Sequence, residues 1–169
     1  MIISNFLKNV LTDFTFDGKI VHFGYGDINE LERFIDRQSK RKSQFPIIWY
    51  TKPNYTETST GEFLVRATFI LMTSTKFEYY NEERCLLNYV NILQPLKDKF
   101  IELLSRTKNI RFNINEIEQY DEGVYGIDVY RNEINNPNNN AKGKSASVKV
   151  YVDSKRIDLK INVKIDCQC

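Results

Sequence analysis

Apolar positions along the chain change period several times. Ile3, Phe6, Leu7, Val10, Leu11 and Phe14 recur at helical spacing and predict an amphipathic helix at the start. The stretch GKIVHFGYGDINELERF, residues 18–34, then passes from a strand-like segment through Gly24 and Gly26 into a second helix. In FPIIWYTKP, Pro46 and Pro53 bracket a short apolar strand over residues 47–50, because proline cannot donate to a ladder. NYTETSTGE is polar and turn-rich and predicts a loop. In EFLVRATFILMTST, Phe63, Val65, Ala67, Phe69 and Leu71 share one strand face. The other face mixes Leu64, Ile70 and Met72 with Arg66, Thr68 and Ser74, which predicts partial cover. These two strands are expected to pair as a central antiparallel hairpin.

The pattern next becomes helical. Asn81 is a suitable cap, Glu82 and Glu83 suit a positive first turn, and Leu86, Tyr89, Val90, Leu93, Leu96, Phe100, Leu103 and Leu104 predict a long inward stripe. Pro95 interrupts it, so a kink or a fresh helix start is expected near Gln94. The last third alternates as strands do, at Tyr125, Ile127 and Val129, at Val148, Val150 and Val152, and from Ile157 through Ile165. Inward positions switch from even to odd between the last two sets. A one-residue phase change turns every side chain over, so DSKR is expected to hold a turn or a bulge, a hairpin being favoured. Residues 132–146 are Asn-rich and read as a flexible loop or arm at a hairpin tip.

Composition fits one domain spanning residues 1–169: 41% hydrophobic and 13% aromatic residues support a core, and a formal charge of +2 announces neither a strongly basic surface nor an acidic tail. Arg37, Lys40, Arg41 and Lys42 form a local basic cluster at the expected end of the second helix, where cations complement the helix dipole. No apolar run approaches the length that spans a bilayer, so no membrane partner is expected. Three cysteines and one histidine complete neither a disulfide scaffold nor a zinc site. Cys85 stands apart and Cys167 with Cys169 reads as an accidental pair of reduced thiols, which implies assembly in a reducing cytosol, and neither cofactor nor metal is expected.

Gly24 and Gly26 invite comparison with phosphate-binding loops, yet the third glycine of a dinucleotide fingerprint and the Gly-Lys-Ser/Thr of a P-loop are both missing. Asp27 and Glu30 instead fit a capping box, whose carboxylates repel phosphate. Asp121, Glu122 and Asp128 are read as solvated carboxylates rather than a nuclease centre, and His22 has no nucleophile motif beside it, so no enzymatic activity is expected. Tyr79, Tyr80, Tyr89, Tyr120, Tyr125 and Tyr130 lie among acidic neighbours and read as packing or interface residues rather than base-stacking platforms.

The phrases FPIIWY, FILMTSTK, NEER and LLNYVNILQPLKDKFIELL, in that order, resemble the tail-completion or tail-terminator proteins of tailed bacteriophages, over roughly residues 24–106. The resemblance implies an α/β (α+β) subunit with a mostly antiparallel sheet flanked by helices, to which this chain adds a long C-terminal β-hairpin. It implies a structural virion protein forming a homo-oligomeric ring, six-fold or twelve-fold, at the head–tail connection, assembled in the host cytoplasm. Its partners would be other copies of itself and the portal, adaptor or tail proteins, with DNA only as transiting cargo. On that view Asn135, Asn136, Asn138, Asn139, Lys142 and Lys144 are candidate inter-subunit contacts. Arg37, Lys40, Arg41 and Lys42 are the residues expected to face DNA, and together with Lys142 and Lys144 they carry the alternative of a DNA-binding accessory protein.

Overall fold

A computed structural model describes residues 2–39, 45–51, 54–131 and 146–165. The chain opens with α1 (Ile2–Val10), followed by β1 (Thr15–Phe16) and β2 (Lys19–Ile20), a small separate ribbon turned at Asp17 and Gly18. Then come β3 (His22–Gly26), α2 (Ile28–Ser39), β4 (Ile47–Thr51), β5 (Asn54–Ser59) and β6 (Glu62–Ser74). A continuous helical rod follows, made of α3 (Asn81–Arg84), a π-helical segment (Cys85–Leu93) and α4 (Gln94–Arg106). β7 (Ile110–Phe112), a 3-10 turn (Ile114–Glu116), β8 (Glu118–Arg131) and β9 (Ala146–Lys164) complete it.

Seven strands form one mixed sheet along the path β3-β4-β6-β9-β7, with β5 beside β4 on β6 and β8 beside β7 on β9. Every pairing is antiparallel except β3 with β4, which are parallel because α2 carries the chain across between them. The protein is therefore α+β with a mostly antiparallel sheet, and β8 with β9 forms the long C-terminal antiparallel pair.

Both sheet faces are used, unequally. On one face, α1 and the long rod cover the odd positions of β6 and β9, and Leu7, Leu11, Phe69, Leu96, Phe100, Ile157 and Ile161 lie in that core. On the other, α2 lays Leu31 and Ile35 over Ile47, Trp49, Met72 and Val152. That second cover stops partway along the sheet: Leu64, Arg66, Lys160 and Asn162, on the same face, are exposed.

The expected turn in DSKR is absent, because β9 runs unbroken through residues 153–156 and pairs with β6 without a register shift from Val152 to Lys164. The phase change arises from the cover instead. Val150 and Val152 pack toward α2, whereas Ile157, Leu159 and Ile161 pack toward the rod, so one regular strand changes which of its faces is dry. The ladder's irregularity lies in β8, between Glu122 and Tyr125.

Residues 54–59, expected as a loop, form β5, which makes a hairpin with β6 closed by Gly61 at φ 76°. Their polarity reflects exposure rather than irregularity, since residues 55–59 are open to solvent. β4 and β6 do pair antiparallel, as expected, but β5 lies between them in sequence, so they are not a simple hairpin.

Glu30 N–H donates to Asp27 Oδ1 at 2.9 Å and Asp27 N–H to Glu30 Oε2 at 2.8 Å, the reciprocal capping box read from the sequence. The two glycines serve packing. Gly26, at φ 139°, aims the chain into α2, while a Cβ on Gly24 would lie 2.4 Å from the Trp49 ring. That ring is held by its indole N–H on the Gly26 carbonyl at 3.1 Å. Gly24→Ala is accordingly expected to lower stability by about 1–3 kcal/mol through overpacking. Urea unfolding checks this, and an unchanged midpoint would contradict the close approach.

Candidate functional site

The rod's middle segment decides what the molecule presents. Gln94 N–H bonds the Tyr89 carbonyl, five residues back, the wider spacing of a π-helix. α4 starts afresh at Gln94 with Pro95 in its first turn, as expected, where the missing N–H costs little. Because the turn before it is wide, the 3.6-residue stripe extrapolated back from Leu93 is out of phase. Asn88, five residues before Leu93, is buried, while Leu86 and Val90, expected to face inward, are exposed. Asn81 is likewise not the cap but the first helical residue. The cap position is Tyr80, whose backbone N–H donates to Glu83 Oε2 at 3.0 Å.

Turned inward in place of leucine are Arg84 and Asn88, which meet Asp153 of β9. The Asp153 side chain is fully buried. Arg84 Nε donates to Asp153 Oδ1 at 3.0 Å and its terminal nitrogen pairs with the same oxygen, while Asn88 Nδ2 donates to Asp153 Oδ2 at 2.6 Å and to Thr75 Oγ1 at 2.9 Å. The bond to Asp153 raises the Arg84 pKa above its ordinary value against the opposing desolvation. Beside them, Lys155 pairs with Asp121 at 2.5 Å and the Tyr89 hydroxyl donates to the Glu122 carbonyl. Burial, followed by the nearby Asp153 charge, pushes the Tyr89 phenol up to about 12, so it stays a donor through the physiological range. The whole knot is satisfied internally. It fixes the rod's rotation on the sheet.

The consequence is what stays exposed at the rod's entrance and first turns. Phe77, Tyr80, Leu86, Leu87 and Val90 are exposed together over a short run of chain, Tyr80 at 80% and Phe77 at 71%. Cys85 is exposed among them. An apolar surface of this kind marks a contact for another macromolecule more often than it occurs idly.

The uncovered half of the sheet has a different character. Arg66 of β6 stands directly opposite Lys160 of β9, and Arg111 of β7 opposite Asn162 in the next row. Like charges facing across strands destabilise a sheet. A cleft of about 720 Å³ lies between the β1–β2 ribbon and the rod, with Lys19, Lys76, Lys99, Asn88 and Asn91 on its walls. It is broad and open, and Asn88 is already bonded to Asp153.

Of the residues singled out from sequence, Arg37 lies on α2, near its end. Lys40, Arg41, Lys42, Asn135, Asn136, Asn138, Asn139, Lys142 and Lys144 fall outside the described residues, as do Cys167 and Cys169. Asp121 is engaged by Lys155, and His22 sits half-buried in β3. Among the described residues, no three His, Cys, Asp or Glu side chains converge on a metal position, and no helix is long and apolar enough to cross a membrane. Sequence reading missed the Arg84–Asp153 pair and the Arg66–Lys160 opposition. The first was hidden by the π phase, and the second needed the β6–β9 register. Comparison with protein-family models, with curated proteins and with solved structures returned no match.

Proposed function

We propose that this chain is a structural subunit of a tailed-phage virion, tail-terminator-like, which closes into a homo-oligomeric ring at the head–tail connection and lets DNA pass through its hole. Neighbouring copies and the portal, adaptor or tail proteins of the same particle are its partners, and its place is the virion after assembly in the host cytoplasm.

The observation that carries this reading is a rigid tile with two unlike open borders. One border is the exposed apolar run at the entrance and first turns of the rod, at Phe77, Tyr80, Leu86, Leu87 and Val90. The other is the half-covered sheet, whose strands β5, β7 and β8 each have one ladder partner among the described residues and so keep an open edge. A closed ring needs this asymmetry, because each subunit meets the next through a different face from the one it offers behind. The internally satisfied polar knot under the rod supports structural work over turnover.

Sedimentation and negative-stain electron microscopy of the purified protein test the reading. The expected result is a concentration-dependent discrete ring with a central hole. A monomer at every concentration would overturn it. The second reading, a DNA-binding accessory protein, is favoured by the Arg66–Lys160 opposition. It requires duplex affinity that falls steeply as salt rises, whereas a ring that transmits DNA binds it weakly.

A further inference from the structure

We infer that, within the ring reading above, the uncovered basic half of the sheet receives the acidic, aromatic entrance of the helical rod from a second copy of this chain. Arg66 and Lys160 face each other directly across β6 and β9, with Arg111 one row along and Lys108 beside it. Among the described residues none of these four has an ion-pair partner. Lys164 has only Glu62 at 3.7 Å, both well exposed, which contributes little. A fold does not gain by opposing two unpartnered cations on an open sheet face. An incoming anionic group relieves that repulsion.

The chain's formal charge is only +2, so the matching anions lie elsewhere on the same molecule. Glu78 and Glu82 are exposed at the entrance to the rod and have no ion-pair partner among the described residues, beside exposed Phe77 and Tyr80. Glu83 is spent on the Tyr80 N–H. Basic face and acidic entrance lie toward opposite ends of β6: Arg66 is near its start, and the chain leaves Ser74 to reach Phe77 and Tyr80. At about 3.3 Å per residue, the eight steps from Arg66 to Ser74 separate them by about 26 Å. One molecule therefore cannot satisfy itself, and two copies meet head to tail. Ion pairs alone do not hold such a contact, and area comes from Phe77, Tyr80 and Leu86 laid against exposed Leu64 and the aliphatic stems of Arg66 and Lys160.

A nucleic acid fits this face less well than a second copy does. Carboxylates bound the cations on both sides, Glu62 in one flanking row and Asp158 with Glu118 in the other. The exposed aromatic there, Tyr120, donates its hydroxyl to Glu118 at 2.9 Å. A phosphate backbone would cross those carboxylates. A short acidic turn fits between them.

Charge reversal tests the assignment on the full chain. The variants are R66E/K160E and E78K/E82K, with E78Q/E82Q as a milder partner should lysine weaken the helix start, and thermal melts confirm folding of each. Each reversed variant alone is expected to assemble about tenfold more weakly than wild type, or worse, because like charges then face each other. An equimolar mixture of the two reversed variants is expected to regain assembly, since every contact in an alternating ring again joins opposite charges. Variants that assemble as wild type does, or a mixture that stays apart, would overturn the assignment. So would unchanged assembly combined with R66E/K160E losing salt-sensitive binding of a duplex DNA oligonucleotide, which would make the face a nucleic-acid surface. Rings indifferent to these charges sink the assignment alone, whereas a wild-type chain that never assembles sinks the ring reading itself.

Discussion

Arg84→Met is expected to lower the unfolding free energy by about 3–5 kcal/mol, because it leaves the Asp153 carboxylate buried without its cation. Asp153 is fully buried, and the remaining donor to it is the Asn88 amide. Methionine keeps much of the arginine stem's packing, so the loss reports charge rather than volume. The double variant R84M/D153L removes both charges and is expected to recover most of that loss, since a matched apolar pair needs no desolvation. Urea unfolding of both single variants and the double variant gives the coupling as a thermodynamic cycle. Additive losses would mean that the pair does not lock the rod. Near-wild-type stability of R84M would mean that water reaches Asp153.

Phe69→Ala is expected to cost about 3–5 kcal/mol by a different route, the cavity. Phe69 is fully buried on β6, stacked on Tyr50 with centroids 5.0 Å apart and edge-on to Phe100 at 4.9 Å. These contacts join strand β4, strand β6 and helix α4, so truncation unpicks sheet from helix as well as removing apolar area. Chemical denaturation with an unchanged slope and a much lower midpoint is the expected signature. A loss below about 1 kcal/mol would show that the core refills the space.

Much of the architecture was legible because local chemistry wrote it. The Asp27–Glu30 capping box, the strand between Pro46 and Pro53, the inward odd positions of β6 and the fresh helix at Gln94 follow from spacing and from groups within a few residues of one another. Where the reading failed, the deciding partner was distant in sequence. β5 was hidden because an edge strand open to solvent carries no apolar alternation to count. The continuous β9 looked broken because α2 covers one face of its first part and the rod covers the other face of its second.

For the candidate surfaces the division is sharper. What could be read from residue order alone was the Asp27–Glu30 cap, the inward phase of β6 and the apolar stripe of α4, since those depend on side chains near one another along the backbone. Long-range packing settled which face of the rod looks outward, because a wide π turn moved Arg84 and Asn88 onto Asp153 and left Leu86 and Val90 in solvent. It alone set Arg66 opposite Lys160, through a strand register reaching across 94 positions of sequence. The physical reason is common to both. Period and capping are short-range properties of a chain, whereas the burial of a charge, or its exposure beside another, is settled by whatever long-range packing brings against it.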